Sequence, residues 1–281
     1  MVEMEVLRYS AFTKEAWGGN PAGVVLNAKG LSSADMAAIA KEVGYSETAF
    51  VLPADGPEFD VRYFSPGIEV PFCGHATIAA AVAYAHRHGV GDLKLRTKAG
   101  VIGVRTAVDA AGWCTATLTS VPPRTAGVTD AQVEDLLALL GWEASELDQR
   151  LPPRATYAGA WHLVLAAATR SRLARLDYDM PKLTRLMERH GWVTVNLVWR
   201  ESSTVFHARN PFPTGGVFED PATGAAAAAL GGYLRDRRLI PLPAEVTVLQ
   251  GHDMGRPSSI TVDIPEEPGT GIGITGTAVP I

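Results

Sequence analysis

Within this 281-residue chain, four side chains stand where they could handle a proton or an anion. Glu47 lies in Tyr45-Ser46-Glu47-Thr48-Ala49-Phe50, a carboxylate flanked by apolar residues at the entry to a strand. Partly buried, such a group can take a proton from carbon and return it; in water it is an ordinary surface glutamate, and both readings are open. His75 follows Gly74 at the start of an alanine-rich helix, where an imidazole can donate a hydrogen bond, relay a proton or simply cap the helix. Asp220 precedes Pro221 and is either a brace for the helix beginning near Thr223 or a carboxylate aimed at a substrate amine or hydroxyl. Because Pro221 restricts Asp220 to extended backbone, Asp220 and the adjacent Glu219 are expected to point different ways. Cys73 directly precedes Gly74, and a thiol beside a helix N-terminus can act as a base, although a buried small residue is the plainer reading. Cys114, beside a strand, is expected in the core.

Two helix starts carry the anion chemistry. The loops RYFSPGIEVPFCGH and RNPFPTGGVFEDPATG place Gly74 in one half, and Thr223, Gly224 and Ala225 in the other, where a helix begins. Unpaired N–H groups and the helix dipole make such a start a site for a carboxylate, a capping role being equally open. His86 and His88 are separated by ~200° around a helix and chelate poorly together, and no other spacing resembles a zinc site, so no metal is expected. The run Gly269 to Gly276 lacks the helix that a phosphate loop needs, and neither a Walker loop nor a dinucleotide fingerprint is present.

The elements that must position these groups are mostly strands. Strand-like segments occur at Glu5–Phe12, Val24–Leu26, Thr48–Leu52, Val61–Phe64, Leu93–Thr97, Val101–Thr106 and Thr115–Thr119. Helices are expected at Ala34–Val43 after Ser32 and Ser33, at Ala76–His88, and at Ala131–Leu140 between a Thr129 cap and Gly141. The alanine-rich helix is apolar nearly all round and must be buried. VPPRTAGV (121–128) reads as a loop, and Asp148–Thr156, with Pro152 and Pro153, as a linker. The second half echoes the first: Phe72-Cys73-Gly74-His75-Ala76-Thr77 lays on Phe218-Glu219-Asp220-Pro221-Ala222-Thr223 at an offset of 146, each copy opening an apolar helix. The expected architecture is α+β, two pseudo-symmetric domains with a sheet curled around a central helix. They span 1–120 and 151–281, with 121–150 leading towards the linker and the C-terminal strand able to cross back.

Composition sets the boundaries of function. Lys and Arg total 25 against 30 Asp and Glu, a net charge of −5 without a basic tract, which argues against nucleic acid and anionic membranes as partners. Two cysteines exclude a disulfide scaffold. Glu3 and Glu5 stand where a signal peptide would be basic and then apolar, and no apolar run reaches the ~18–20 residues of a membrane span, so a cytoplasmic location is expected.

Five segments in order resemble one family. AFTKEAWGGNPAGVVL with its Gly-Asn-Pro turn, SETAF, RYFSPGIEVPFCGHATIAAA, VFEDPATGAAAAAL and QGHDMGRPSSITV are similar to the motifs of the PhzF-like phenazine-biosynthesis proteins, within the diaminopimelate epimerase fold. The resemblance runs from about residue 5 to 281. It implies barrel-like domains around central helices, an active site in a cleft between them, and a homodimer. It also implies a cofactor-independent isomerase that shifts a proton and a double bond on a small cyclic carboxylate or amino acid, as in secondary metabolism and antibiotic biosynthesis. Catalytic roles fall on Glu47, His75 and Asp220. Substrate contacts fall on Asn20, Ser46, Cys73, Gly74, Thr223, Gly224 and Ala225. One departure stands out: the family often has serine after Ala-Thr-Gly, and here that residue is Ala225. An epimerase or racemase of the same fold and a non-catalytic binding protein are the alternatives; the two-thiol epimerase mechanism lacks its second cysteine.

Overall fold

The computed structural model describes residues 5–53 and 58–281; residues 1–4, including Glu3, lie outside the described residues. The chain divides into two compact units, Met1–Thr119 with Thr275–Ile281, and Ser120–Ile274. Elements of the first unit are β1 (Leu7–Ala11), β2 (Asn20–Val25), α1 (Ser33–Val43), β3 (Glu47–Pro53), β4 (Glu58–Phe64), β5 (Glu69–Val70), α2 (Gly74–His88), β6 (Asp92–Thr97), β7 (Gly100–Val108) and β8 (Cys114–Thr119). The second contains β9 (Arg124–Ala126), α3 (Asp130–Leu140), β10 (Arg154–Tyr157), β11 (Trp161–Ala166), α4 (Arg170–Ala174), α5 (Met180–His190), β12 (Trp192–Arg200), β13 (Val205–Pro211), β14 (Glu219–Asp220), α6 (Gly224–Asp236), β15 (Ala244–Gln250) and β16 (Ser258–Ile264). The last strand is β17 (Gly273–Pro280).

Strand pairing closes the first unit into a ring. β1 pairs with β2, β2 with β3, β3 with β4, β4 with β6, β6 with β7 and β7 with β8; β17 then joins β8 to β1. The buried helix α2 lies within this barrel, packed against β1, β2, β3, β7 and β8. The second unit repeats the plan. β9 pairs antiparallel with β10 as β17 does with β1, and the order of antiparallel and parallel pairings from β10 through β13 and β15 to β16 copies that from β1 through β4 and β6 to β7. Its central helix α6 packs against β9, β10, β11, β12 and β16.

The register of the duplication differs from the 146-residue offset read from the sequence. β5 begins at Glu69 and β14 at Glu219, while α2 begins at Gly74 and α6 at Gly224, both 150 residues apart. Glu69-Val-Pro71-Phe-Cys-Gly74 therefore matches Glu219-Asp-Pro221-Ala-Thr-Gly224. The 146 offset matched two alanine runs, and such runs slide freely on one another. The anchor is the glutamate, which in each copy pairs with an arginine of the neighbouring strand: Arg62 with Glu69, and Arg209 with Glu219.

Helix ends follow local chemistry. Ser32 caps α1 in a capping box with Asp35, Thr129 caps α3 in one with Gln132, and both helices end on a left-handed glycine, Gly44 and Gly141. α1 buries Met36 and Ala40 against Val25, Phe50 and Phe64. In the second unit, α3 and α5 share a core of Leu136, Leu140, Leu183, Leu186 and Met187 laid on Leu163, Leu165, Val195 and Leu197. Two stretches differ from expectation. Residues 121–128 are not all loop, because Arg124–Ala126 pairs with β10. Nor does Asp148–Thr156 lie between the units: Leu151 is buried, Tyr233 donates to the Pro152 carbonyl, and the division falls at Thr119/Ser120.

Candidate active site

In the first unit, strand pairing and one helix start bring four of the sequence-identified residues together. Glu47 opens β3 in parallel register with Ala22 of β2, and Ser46 precedes it. Gly19 sets the entry to β2: its φ is +69°, and a Cβ there would meet the Ala11 carbonyl oxygen at 2.4 Å. This turn places buried Asn20 at the head of the strand. His75 Nε2 lies 3.5 Å from Glu47 Oε2 and 3.4 Å from Ser46 Oγ. His75 Nδ1 lies 3.4 Å from Cys73 Sγ. The imidazole and thiol are buried, whereas the Glu47 side chain keeps 19% of its surface. A carboxylate so placed can reach a small molecule while one face stays against the imidazole.

Cys73 is held by two groups that carry no site motif of their own, Thr77 and Tyr63. Thr77 Oγ1 donates to the Cys73 carbonyl at 2.7 Å, which uses its only hydrogen. The 2.7 Å contact between Tyr63 and Thr77 must therefore have the phenol as donor, and burial pushes that phenol above its ordinary range, keeping it protonated. Tyr63 lies in β4 opposite Val70 of β5, so the sheet is tied directly to the helix start. The signal available was an aromatic residue on a strand beside the FCGHAT motif.

The second unit holds the other set. Asp220 Oδ2 accepts from the Thr223 hydroxyl at 2.6 Å, the brace considered above. Glu219 turns the opposite way, into a buried pair with Arg209, as Pro221 led us to expect. Gln250, at the end of β15, fastens the loop with three bonds: its amide nitrogen donates to the Asp220 carbonyl and to Thr223 Oγ1, and its oxygen accepts from the Thr223 N–H. Gln250 opens the QGHDMG segment, and its place beside the Asp220 loop follows from the pairing of β13 with both β14 and β15. Beneath this loop, His162, Thr194, Asn210 and Asn196 form a buried hydrogen-bonded series that ends on the Ala226 carbonyl of α6.

The two central helix starts share a feature that separates them from the other long helices. α1, α3 and α5 are capped by Ser32, Thr129 and Asp179. Cys73 and Thr223, at the starts of α2 and α6, make no side-chain cap bond, and neither first turn contains an acidic residue. A helix start without a side-chain cap can take an anion; the first residues of these two helices are Gly74 on α2, and Gly224 and Ala225 on α6. Cys114, expected in the core, is half-buried at the start of β8, and burial raises its thiol. A separate groove of about 650 Å³ in the second unit, between α3 and the segment joining α4 to α5, includes none of these residues; its Arg172 is already engaged by Glu146.

The chain has a duplicated α+β fold, two units that each curl a sheet around a central helix. At the level of the fold it is similar to a hydroxyproline epimerase from Agrobacterium vitis, with a TM-score of 0.64 at 12% identity over 99% of this chain and 90% of the other. The chain belongs to the PhzC-PhzF family, described as phenazine biosynthesis-like proteins, whose model matches residues 9–281. A Bacillus anthracis phenazine biosynthesis protein of the PhzF family is similar in structure, with a TM-score of 0.90, 28% identity, and coverage of 99% of this chain and 97% of that one. An uncharacterized isomerase of Clostridium acetobutylicum is 32% identical over 96% of this chain and 93% of its own length. The trans-2,3-dihydro-3-hydroxyanthranilate isomerase of Pseudomonas fluorescens is 31% identical over 88% and 86%. Among the described residues no helix is long and apolar enough to cross a membrane.

Proposed function

We propose that this protein is an isomerase that moves a proton, and with it a double bond, on a small cyclic carboxylate. Glu47 takes the proton from one carbon and returns it to another. The observation that carries this reading is the half-buried Glu47 carboxylate held 3.5 Å from His75 Nε2 at an uncapped helix start. His75 steadies the carboxylate and can pass a proton to or from it. The N–H groups around Gly74 suit the negative charge that develops when a proton leaves carbon next to a carboxylate. On the second unit, the start of α6 offers a like cradle at Gly224 and Ala225, and Asp220 beside it can accept from an amine or hydroxyl. The relatives named as isomerases support the reaction class, and the Pseudomonas fluorescens relative supports a dihydro-hydroxyanthranilate as the first compound to try.

The test is incorporation of solvent deuterium into trans-2,3-dihydro-3-hydroxyanthranilate and into a panel of cyclic amino acids. Wild-type protein is expected to exchange at least one of them, and Glu47→Gln to lose that exchange by about 100-fold or more, the range attached to a general base. Exchange at the wild-type rate in Glu47→Gln would show that another group is the base.

A second reading has one observation in its favour. The contact between Cys73 Sγ and His75 Nδ1 is the kind that activates a thiol, so Cys73 could be the base of an epimerase. The 150-residue register works against it, because the counterpart of Cys73 is Thr223, whose hydroxyl is turned to Asp220. If alkylation of Cys73 abolished exchange while Glu47→Gln retained it, the thiol reading would replace the carboxylate one.

A further inference from the structure

Three donors of different chemistry converge at the start of α2. The Cys73 thiol, an imidazole nitrogen of His75 and a carboxylate oxygen of Glu47 all lie within 4.8 Å of one another. Among the described residues this is the one group of three or more such side chains close enough to hold a metal ion. A tetrahedral zinc ion with bonds of about 2.3 Å to sulfur and about 2.1 Å to nitrogen and oxygen sets its ligand atoms about 3.6 Å apart for S and N, and about 3.4 Å apart for N and O. Here His75 Nε2 lies 3.9 Å from Cys73 Sγ and 3.5 Å from Glu47 Oε2. Sγ lies nearer Nδ1, at 3.4 Å, so the donors are gathered but not yet aimed at one point, and a turn of the imidazole or the thiol is needed to bring Nε2, Sγ and the carboxylate onto one ion.

We propose that Glu47, Cys73 and His75 bind a borderline-soft divalent cation, Zn2+ in the first place, and that its occupancy stops the proton transfer assigned to Glu47. The first part stands on the donor set alone; the second rests on the isomerase reading above. The thiol gives up its proton to water as the metal–sulfur bond forms, no electrons are transferred, and thiolate plus carboxylate balance the two charges of the ion. Three protein ligands leave the fourth tetrahedral position to water or to a small acid. The donor set selects among metals: one thiolate and one imidazole favour Zn2+ or Co2+, whereas Mg2+ and Ca2+ require oxygen ligands, of which the triad has one residue's worth. The cation would be an inhibitor rather than a cofactor, because it claims the carboxylate whose lone pair must take the substrate proton.

Metal-free protein titrated with Co2+ provides the test. The expected result is one site per chain, with a thiolate-to-cobalt charge-transfer band, the visible bands of a tetrahedral ion, about one proton released per metal, and displacement by Zn2+ but not by Mg2+. Cys73→Ser should abolish the charge-transfer band and weaken binding by about 100-fold or more, at least the loss that follows removal of a mere orienting partner. Glu47→Gln should weaken binding while retaining the band, and Cys114→Ser should change neither. Saturating Zn2+ should suppress deuterium exchange at least tenfold, with recovery after chelation. Cobalt binding without the sulfur band, or binding indifferent to Cys73→Ser, overturns the site. Exchange that continues at the metal-free rate with Zn2+ bound overturns the inhibition. If the metal-free protein exchanges none of the acids, the isomerase reading fails, and the cobalt spectra still uphold or overturn the metal site.

Discussion

Ala225 and His162 show how much a single position decides. Ala225 presents the α6 start without the hydroxyl that the family pattern often has there. If a dihydro-hydroxyanthranilate is the substrate, Ala225→Ser adds a donor to a charged group and should tighten binding by about 1.5–3 kcal/mol, read as a lower KM. An unchanged KM would point to a substrate whose acid group lies elsewhere. His162 acts on stability. Thr194 donates its hydrogen to Asn210, so the 2.8 Å contact has His162 Nδ1 as donor and leaves Nε2 as a buried lone pair without a hydrogen-bond partner among the described residues. Burial lowers His162 to about 4 from 6.5. A folded-state value below the unfolded one means the unfolded chain binds the extra proton, so stability is complete above about pH 6.5 and falls as pH drops towards 4. The loss is of the order of 3 kcal/mol, and urea unfolding against pH should show it; His162→Asn should flatten that limb. A second window lies lower: hydrogen bonding to Arg62, with Lys98 adding to it, holds Glu69 at about 2, so its contribution persists above the ordinary range and is lost as pH falls towards 2.

Among the elements, α2 and α6 are the exacting ones. Each is buried nearly all round, and each is built from alanine and glycine so that strands can approach. In an exposed helix Gly→Ala is stabilising by about 1 kcal/mol. At Gly232 the sign should reverse, because a Cβ there would meet Pro123 Cβ at 2.3 Å. Gly232→Ala is expected to lower stability by about 1–3 kcal/mol in thermal or urea unfolding, the range for overpacking a dense core. Much of the element pattern was legible from local chemistry: Ser32 and Thr129 as caps, Gly141 as a stop, and Gly74 and Gly224 as helix starts all act over a few residues. The helix α5 is absent from the sequence expectations although its local signals are complete: an Asp179 cap, Pro181 in the first turn, and buried Leu183, Leu186 and Met187. β9 was hidden for another reason. Three residues after two prolines have no periodicity, and their strand character comes from pairing with β10.

At the scale of the whole molecule, the C-terminal strand matters beyond its length. Thr275–Ile281 belongs with the first unit, where β17 closes the ring between β8 and β1, Thr277 Oγ1 donates to the Cys114 carbonyl, and the Phe12 N–H donates to the Thr277 carbonyl. Removing residues 275–281 would open two strand edges at once. At about 1 kcal/mol per lost bond the cost is a few kcal/mol, borne by the first unit. Hydrogen exchange should show protection lost in β1 and β8 and retained in β12. Equal loss in both units would mean that they unfold as one.

The sequence by itself determined the α+β class, the duplication, most helix ends and the identities of Glu47, Cys73, His75 and Asp220 as residues worth testing. These rest on signals that act between near neighbours, or on motif order along the chain. Only the tertiary structure decided the 150-residue register, the turn of Glu219 towards Arg209 while Asp220 braces Thr223, and the support of Cys73 by Tyr63 and Thr77. It also decided that the donor atoms of Glu47, Cys73 and His75 gather within 4.8 Å of one another. Each of these depends on which strands pair, and pairing between segments tens of residues apart is set by burial and hydrogen bonding of the folded sheet, which spacing along the chain does not encode.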